Sequence, residues 1–434
     1  MTTAETHRTI DAVWRIESAK LIAALTRLVG DVGLAEDLAQ DALVAALERW
    51  PESGVPDKPG AWLMATAKHR AIDQLRRGKM LDRKHVQVGH EMELRQEAAL
   101  PDLDAAIDDD IGDDLLRLMF MACHPVLSTE ARVALTLRLV GGLTTAEIAR
   151  AFLAPEPTIA QRIVRAKRTL TDAQIPFEVP RGAELQSRLS SVLGVLYLVF
   201  NEGYSATAGD DWIRPQLCEE ALRLGRILAE LAPQEAEVHG LVALMEIQAS
   251  RLRARVGPSG EPILLLDQDR SRWDQLLIRR GLAALERAEA LGGAQGPYAL
   301  QGAIAACHAR ARVQEDTDWS RIASLYAELA RLTPSPVVEL NRAVALGMAY
   351  GPAAGLELAD SLVSERTLEG YHLLPAVRAD LLSKLGRLEE AKAEFERAAA
   401  LTRNARERDL LLQRAAASRV SEAVLQAQRP QAAS

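Results

Sequence analysis

The stretch Leu143-Thr-Thr-Ala-Glu-Ile-Ala-Arg150, the turn Ala154-Pro-Glu-Pro157 and the run from Thr158 to Leu170 together decide how this chain is read. Thr144 and Glu147 stand at the spacing of a capping box, so a short helix begins there. Pro157 suits the first turn of a second helix, where its missing N–H would be unpaired in any case. In that second helix Ile159, Ile163, Ala166 and Leu170 recur at helical spacing and form an inward stripe. Thr158, Gln161, Arg162, Arg165 and Arg168 are left to point outward. A helix, a tight turn and a second helix with an Arg/Gln/Thr face is the helix-turn-helix pattern, whose second helix enters a DNA major groove.

Charge is unevenly spread around this motif. The chain carries 52 basic and 60 acidic residues, a formal net charge of −8, which taken alone argues against a nucleic-acid partner. Yet residues 157–170 hold four bases and no acid, and Lys68 to Lys84 hold seven bases against two acids. Between these basic patches, Glu91 to Asp114 holds ten acids and one base, Arg95, a block that repels itself and reads as a mobile tether. Two small basic units on one tether suit contact with two separated stretches of a single DNA.

Toward the N-terminus, helical periodicity runs from Asp11 to Val29, breaks at Gly30-Asp-Val-Gly33, and resumes from Leu34 to Trp50, where Pro51 is expected to end it. A Pro/Gly-rich loop, Glu52 to Gly60, precedes a third helix from Ala61 to Arg77. Its expected core face is Trp62, Leu63, Ala65, Ala67, Ile72 and Leu75. Lys68, Arg70, Gln74, Arg76 and Arg77 are free to face DNA.

Composition sets the outer limits. The 434 residues are enough for about three domains. With 48% hydrophobic and only 4% aromatic residues, the chain is short of strand-forming side chains, and an all-α fold is expected. Cys123, Cys218 and Cys307 are too dispersed for a disulfide framework or a zinc finger. Cys123-His124 reads as a small buried thiol beside a helix-end histidine, not a metal pair. The longest apolar run, Val192 to Phe200, is far below the ~20 residues of a membrane span. Neither a dinucleotide-binding nor a P-loop, zincin or nucleophile-elbow pattern occurs, so no cofactor, metal, membrane contact or enzymatic activity is expected, and a cytoplasmic location is.

Three motifs carry a family resemblance: Ala35-Glu-Asp-Leu-Ala-Gln-Asp-Ala-Leu43, Trp62-Leu-Met-Ala-Thr-Ala-Lys-His-Arg-Ala-Ile-Asp-Gln-Leu-Arg-Arg77, and the helix-turn-helix ending Gln161-Arg-Ile-Val-Arg-Ala-Lys-Arg-Thr-Leu170. In order and spacing they resemble regions 2 and 4 of sigma-70 factors of the extracytoplasmic-function (ECF) group, over residues 10 to 175. The resemblance implies region 2 at 10–80, an acidic linker at 81–112 and region 4 at 113–175. It implies that Asp37, Gln40, Asp41 and Val44 meet the β′ clamp helices of core RNA polymerase, with the β flap as a further contact. It also implies that Lys68, Arg70, Gln74, Arg76 and Arg77 work at the promoter −10 element, and that Thr158, Gln161, Arg162, Arg165 and Arg168 work at the −35 element. The chain departs from its relatives in the loop Glu52–Gly60, which has no aromatic, and in the start Glu156-Pro-Thr158 of the recognition helix.

The remaining 260 residues need a separate account. Amphipathic Ala-rich helices recur at Leu217–Leu231, Trp273–Leu291, Trp319–Leu332, Gly351–Val363 and Leu388–Leu401. The later spacings approach the 34-residue tetratricopeptide period. In the last unit Ala379, Leu382, Gly386, Ala391, Phe395 and Ala398 fit that repeat's small and large positions. A helical-repeat extension over 180–426 is expected, with an irregular insertion from Val256 to Arg270. Asn201-Glu-Gly-Tyr204 either lines a pocket or ends a helix at Gly203. Such an extension resembles a subgroup of these factors with a fused C-terminal tetratricopeptide-like domain, which implies control of the sigma regions, with a protein or peptide as ligand of the repeats.

The function expected is therefore promoter selection by a polymerase subunit. The alternative is a free-standing helix-turn-helix regulator with a peptide-sensing domain, which would have no use for the polymerase-facing helix Ala35–Trp50. The acidic tether is expected to follow the path of nascent RNA through polymerase.

Overall fold

The computed structural model describes residues 3–86, 111–152 and 154–427, and within these the fold is all-α. Two compact units divide it, 1–198 and 199–434.

In the first unit, α1 (Thr3–Val29), α2 (Val32–Ser53) and α3 (Pro59–Val86) form a bundle. Small side chains let these helices approach closely: Ala35, Ala39, Ala42 and Ala46 of α2 are buried beside Leu21, Ile22 and Leu25 of α1. Trp50 closes the end of this core with its ring 5.4 Å from that of Trp62, edge to face. Pro51 does not end α2 as its sequence position suggests. It lies in the last turn, and Gly54, at φ 85°, ends the helix while its N–H reaches Trp50 O. On α3 the buried stripe is Leu63, Ala67 and Ala71, whereas Ala65 and Leu75, expected in the core, are exposed. One inward stripe suffices because α3 meets its neighbours along one side.

Helices α4 (Ile111–Ala122), α5 (Thr129–Leu139), α6 (Thr145–Ala151) and α7 (Glu156–Asp172) complete the unit with α8 (Ala183–Tyr204) as far as Leu198. The capping box is formed: Thr144 N donates to Glu147 Oε2 at 2.8 Å, and Glu147 N to Thr144 Oγ1 at 3.1 Å. α8 is tied down by Arg188, which donates to Phe120 O, and by Ser191, which donates to Cys123 O. Residues 91–110 of the acidic segment lie outside the described residues. Asp114, its last acid, belongs to no tether: it is 1% exposed on α4 and paired with Arg27 and Arg117.

The second unit stacks helices in sequence order: α9 (Pro215–Leu231), α10 (Ala236–Ala249), α11 (Gln275–Ala290), α12 (Pro297–Arg310), α13 (Trp319–Leu332), α14 (Pro336–Tyr350), α15 (Pro352–Ser361), α16 (Leu373–Lys384), α17 (Leu388–Leu401) and α18 (Ala405–Ala427). One apolar cluster threads the last five, from Ala343 through Leu356, Ala379 and Phe395 to Leu411. The irregular insertion lies between α10 and α11 and consists of three short 3-10 turns with a Val256–Pro262 bridge.

One feature of this unit differs from expectation, and another was not foreseen. Gly203 does not end α8: it sits in the last helical turn, and a Cβ there would lie 2.6 Å from Cys218 N and 2.9 Å from Arg214 O. Close approach of another segment, not a left-handed cap, requires glycine there. The first and last segments of the unit also meet. Ala208–Gly209 pairs in parallel with Arg403–Asn404, and the buried Asn404 amide donates to Ala206 O and Asp211 O at 3.1 and 2.8 Å.

Candidate nucleic-acid interface

Helix α7 buries one face and exposes the other. Ile159, Ile163, Ala166 and Leu170 are buried, which turns the opposite face outward. Thr158, Gln161, Arg165 and Arg168 are exposed, and Arg162 is half-buried. Arg162, Arg165 and Gln161 face Val126, Ser128 and Ala131 across a groove of about 350 Å³. Arg168 is held 3.4 Å from Asp172 at the exposed helix end, a pair that solvent leaves weak. Arginine and glutamine on one exposed face match the donor and acceptor pattern of base edges.

The α2 stripe is likewise outward. Asp37, Asp41 and Val44 are exposed, with Val44 49% accessible despite being apolar, and Gln40 is half-buried. On α3, Gln74 and Arg76 are exposed, Lys68 and Arg70 are half-buried, and Arg77 follows on the same helix. Arg70 Nη1 lies 3.1 Å from Asp41 Oδ2, so the α2 stripe and the basic edge of α3 share one charged contact.

The sequence reading leaves out the group that ties these elements together. Glu36 is 3% exposed and receives Arg138 Nε at 2.6 Å, Lys167 Nζ at 2.9 Å and Gln40 Nε2 at 2.8 Å. Burial alone would raise its pKa, but the Arg138 and Lys167 charges outweigh burial and hold the carboxyl below its usual range. Asp31 caps α2 through Leu34 N and accepts from Thr171 at the end of α7. Arg15 meets Glu147 at 2.6 Å, and Arg27 meets Asp114 at 2.9 Å. Helices α1 and α2 are thus joined to α4, α5, α6 and α7 by five charged or polar contacts. The signal for Glu36 is present in the sequence: it falls among Val32, Ala35 and Ala39 on the inward side of α2, where a carboxylate needs a cation.

Cys123 is a structural thiol. It is fully buried beside Thr136 Oγ1, and burial pushes its pKa up to about 11. His124 accepts from Val126 N in the turn that follows. Among the described residues no cluster of metal-ligating side chains is present, and no helix is long and apolar enough to cross a membrane.

Sigma-70 region 2 matches residues 16–80 and sigma-70 region 4 matches residues 117–170. A family of unknown function (DUF6596) matches residues 188–289. An uncharacterized protein of Rhizobium meliloti (strain 1021) is 43% identical over 394 residues, 89% of this chain and 90% of its own. The probable ECF RNA polymerase sigma factor SigI of Mycobacterium tuberculosis is 27% identical over 175 residues, 40% of this chain and 58% of its own. The ECF RNA polymerase sigma factor SigK of Mycobacterium ulcerans (strain Agy99) is 30% identical over 157 residues, 35% of this chain and 78% of its own. The chain therefore belongs to one family with the Rhizobium protein, and its region 2 and region 4 domains make it an ECF-like sigma factor.

Proposed function

We propose that this sigma factor directs bacterial RNA polymerase to its promoters by opening a closed pair of domains. The observation that carries the reading is the exposed Thr158, Gln161, Arg165 and Arg168 face on a helix whose neighbouring Lys167 is bound to Glu36 of α2. Asp37, Gln40, Asp41 and Val44 take the clamp helices of core polymerase. Lys68, Arg70, Gln74, Arg76 and Arg77 act at the −10 element, and the α7 face reads the −35 element.

The closed arrangement is too small for both elements at once. Promoter positions −10 and −35 lie 25 base pairs apart, roughly 85 Å along B-DNA at ~3.4 Å per pair. A compact unit of about 200 residues has a radius of gyration of only ~16 Å. Binding to polymerase supplies the free energy that separates α2 from α7, and the acidic segment between α3 and α4 then spans the gap along the path of nascent RNA. The C-terminal helical extension, tetratricopeptide-like in its last unit, sets the activity of the sigma domains and takes a protein or peptide ligand. The protein acts in the cytoplasm.

Run-off transcription with purified core polymerase and a genomic promoter library tests this. Specific 5′ ends that depend on both proteins support it. DNA binding with the same specificity and no dependence on polymerase would instead mark a free-standing regulator.

A further inference from the structure

The Asn201-Glu-Gly-Tyr204 motif ends α8 and leads into the second unit, where the sigma assignment gives it no task. Around Tyr204 the unit builds an alternating ladder of arginines and aromatic rings. Arg255 stacks on the Tyr204 ring at 3.8 Å and lies 5.5 Å from the Trp212 ring. Arg251 donates to Tyr204 OH at 2.7 Å and lies 5.6 Å from the Trp273 ring. Arg270 covers the other end of the ladder, 4.7 Å from Trp273, and donates to His308 O and Ala311 O. The irregular insertion between α10 and α11 thus has a role in placing these groups: it carries Arg255 and Arg270.

Elsewhere the unit compensates its buried charges. Glu246 is flanked by Arg226 and Arg280, Glu202 by Arg214, Asp380 by Lys384 and Arg414, and Arg378 by Asp360 and Glu394. The ladder differs from these pairs. Among the described residues no carboxylate comes within 4 Å of Arg251, Arg255 or Arg270. Arg251 is only 9% exposed. Burial pushes the Arg255 and Arg270 guanidiniums below their usual range and Arg251 presses on both, while the Glu315 and Asp316 carboxylates offset part of this at Arg270. His308 adds no charge, because burial and the same arginines drive its pKa down to about 3. Cation–π contact offsets part of this cost but neutralises nothing.

The unmet polar groups point the same way. Arg251 Nε, Arg255 Nε, Trp212 Nε1 and Trp273 Nε1 are buried N–H donors without a protein acceptor. The Nε donors of Arg251 and Arg255, which pack on the same Tyr204 ring and have no carboxylate within 4 Å, are complementary to a group that is anionic and rich in acceptors. Trp212, Arg255 and Arg270 are half-buried and lie nearest the surface, while Arg251, Tyr204 and Trp273 are buried beneath them. The wall is fixed in place by Asn404, whose amide holds Ala206 and Asp211 beside Trp212.

We infer that the Arg251–Tyr204–Arg255 ladder is an oxyanion-binding site, which takes the phosphate or carboxylate group of a small molecule at the junction of the extension's first and last segments. Stacked arginines present their N–H edges sideways, and planar aromatic walls exclude hydrated cations. Guanidinium and indole donors together favour an oxyanion over chloride.

Isothermal titration of the full-length protein with inorganic phosphate, and separately with acetate, at constant ionic strength tests this. One saturable site for either anion is expected, and the tighter of the two identifies the group. Arg255→Gln should weaken binding by about tenfold or more, the loss of one charge-assisted contact. Trp212→Phe keeps the ring, removes one donor and should weaken it less, which provides a second readout if Arg255→Gln fails to fold. Arg331→Ala, at an exposed position of α13 outside the ladder, should leave binding unchanged. Absence of saturable binding for both anions, affinity unaltered by both ladder variants, or loss of binding with Arg331→Ala alone would each overturn the assignment.

Discussion

Glu36 of α2 and Lys167 of α7 meet at 2.9 Å, although 131 residues separate them in the chain. Lys167 lies on the helix proposed to read DNA, one position after the buried Ala166 and two after the exposed Arg165. Glu36 lies one position before Asp37, on the helix proposed to meet polymerase. A single buried carboxylate therefore couples both surfaces, and its removal is the most direct probe of the closed state.

Glu36→Gln keeps the shape and leaves Arg138 and Lys167 without their anion. Both cations are partly exposed, so the first unit should lose about 1–3 kcal/mol, less than a fully buried pair would cost. The free protein should at the same time bind a −35 duplex more tightly by fluorescence anisotropy, because α7 is released. Weaker DNA binding by a variant that remains folded would show that the Glu36 contact does not hold the domains shut.

The same carboxylate sets a pH dependence. Its pKa is lowered on folding, so its contribution is complete above the ordinary value of 4.5 and is lost as pH falls through the lower folded value. The difference in melting temperature between wild type and Glu36→Gln should be full at neutral pH and shrink in acid. A difference that grows as pH falls would contradict the assigned ion pair.

Asp37→Arg reverses charge on the exposed stripe of α2 without touching its core. Co-purification with core polymerase should be lost while the circular dichroism spectrum and melting temperature stay unchanged. Adding Gln40→Ala should also loosen the closed state, since Gln40 donates to Glu36. The single variant is thus the cleaner test of the interface.

Arg165→Ala should lower affinity for the preferred −35 sequence by about 1–3 kcal/mol if the side chain makes a bidentate contact with guanine. An equal loss on every sequence would place Arg165 on phosphate, and no loss on any DNA would remove it from the interface.

A fragment ending at residue 174 should be less stable than one ending at Leu198. The shorter fragment lacks Arg188 and Ser191, which bond to Phe120 O and Cys123 O, and it uncovers the surface on which α8 rests. Comparison of their thermal melts checks this. Equal melting temperatures would show that α8 adds nothing to the first unit. Transcription assays of the extension's regulatory role therefore belong with the longer fragment.

Much of this was legible in the sequence because surface helices carry a period. The five repeat helices found by amphipathicity, α9, α11, α13, α15 and α17, each bury one face. Their partners α10, α12, α14 and α16 escape the same search. In α10, Val238, Leu241, Val242, Leu244, Met245 and Ile247 are all buried, and a helix buried on most sides has no polar stripe to set its phase. The outward stripes of α2 and α7 were readable for the converse reason. The inward place of Glu36 was readable too, but its partners Arg138 and Lys167, like the arginine ladder, were not, because those groups are brought together only across the fold. Arg251 and Tyr204 are 47 residues apart.

The Asn404 amide has a consequence for how the protein is made. It reaches back 198 residues to Ala206, so the second unit cannot close until nearly the last helix has been synthesised. At ~5–20 residues per second, roughly 10–40 s pass between the appearance of those two residues on the ribosome. Throughout that interval the sigma domains are already complete on the nascent chain while the extension is still unsealed. A premature stop before residue 404 would leave that state permanent, with the Trp212 loop deprived of the residue that holds it.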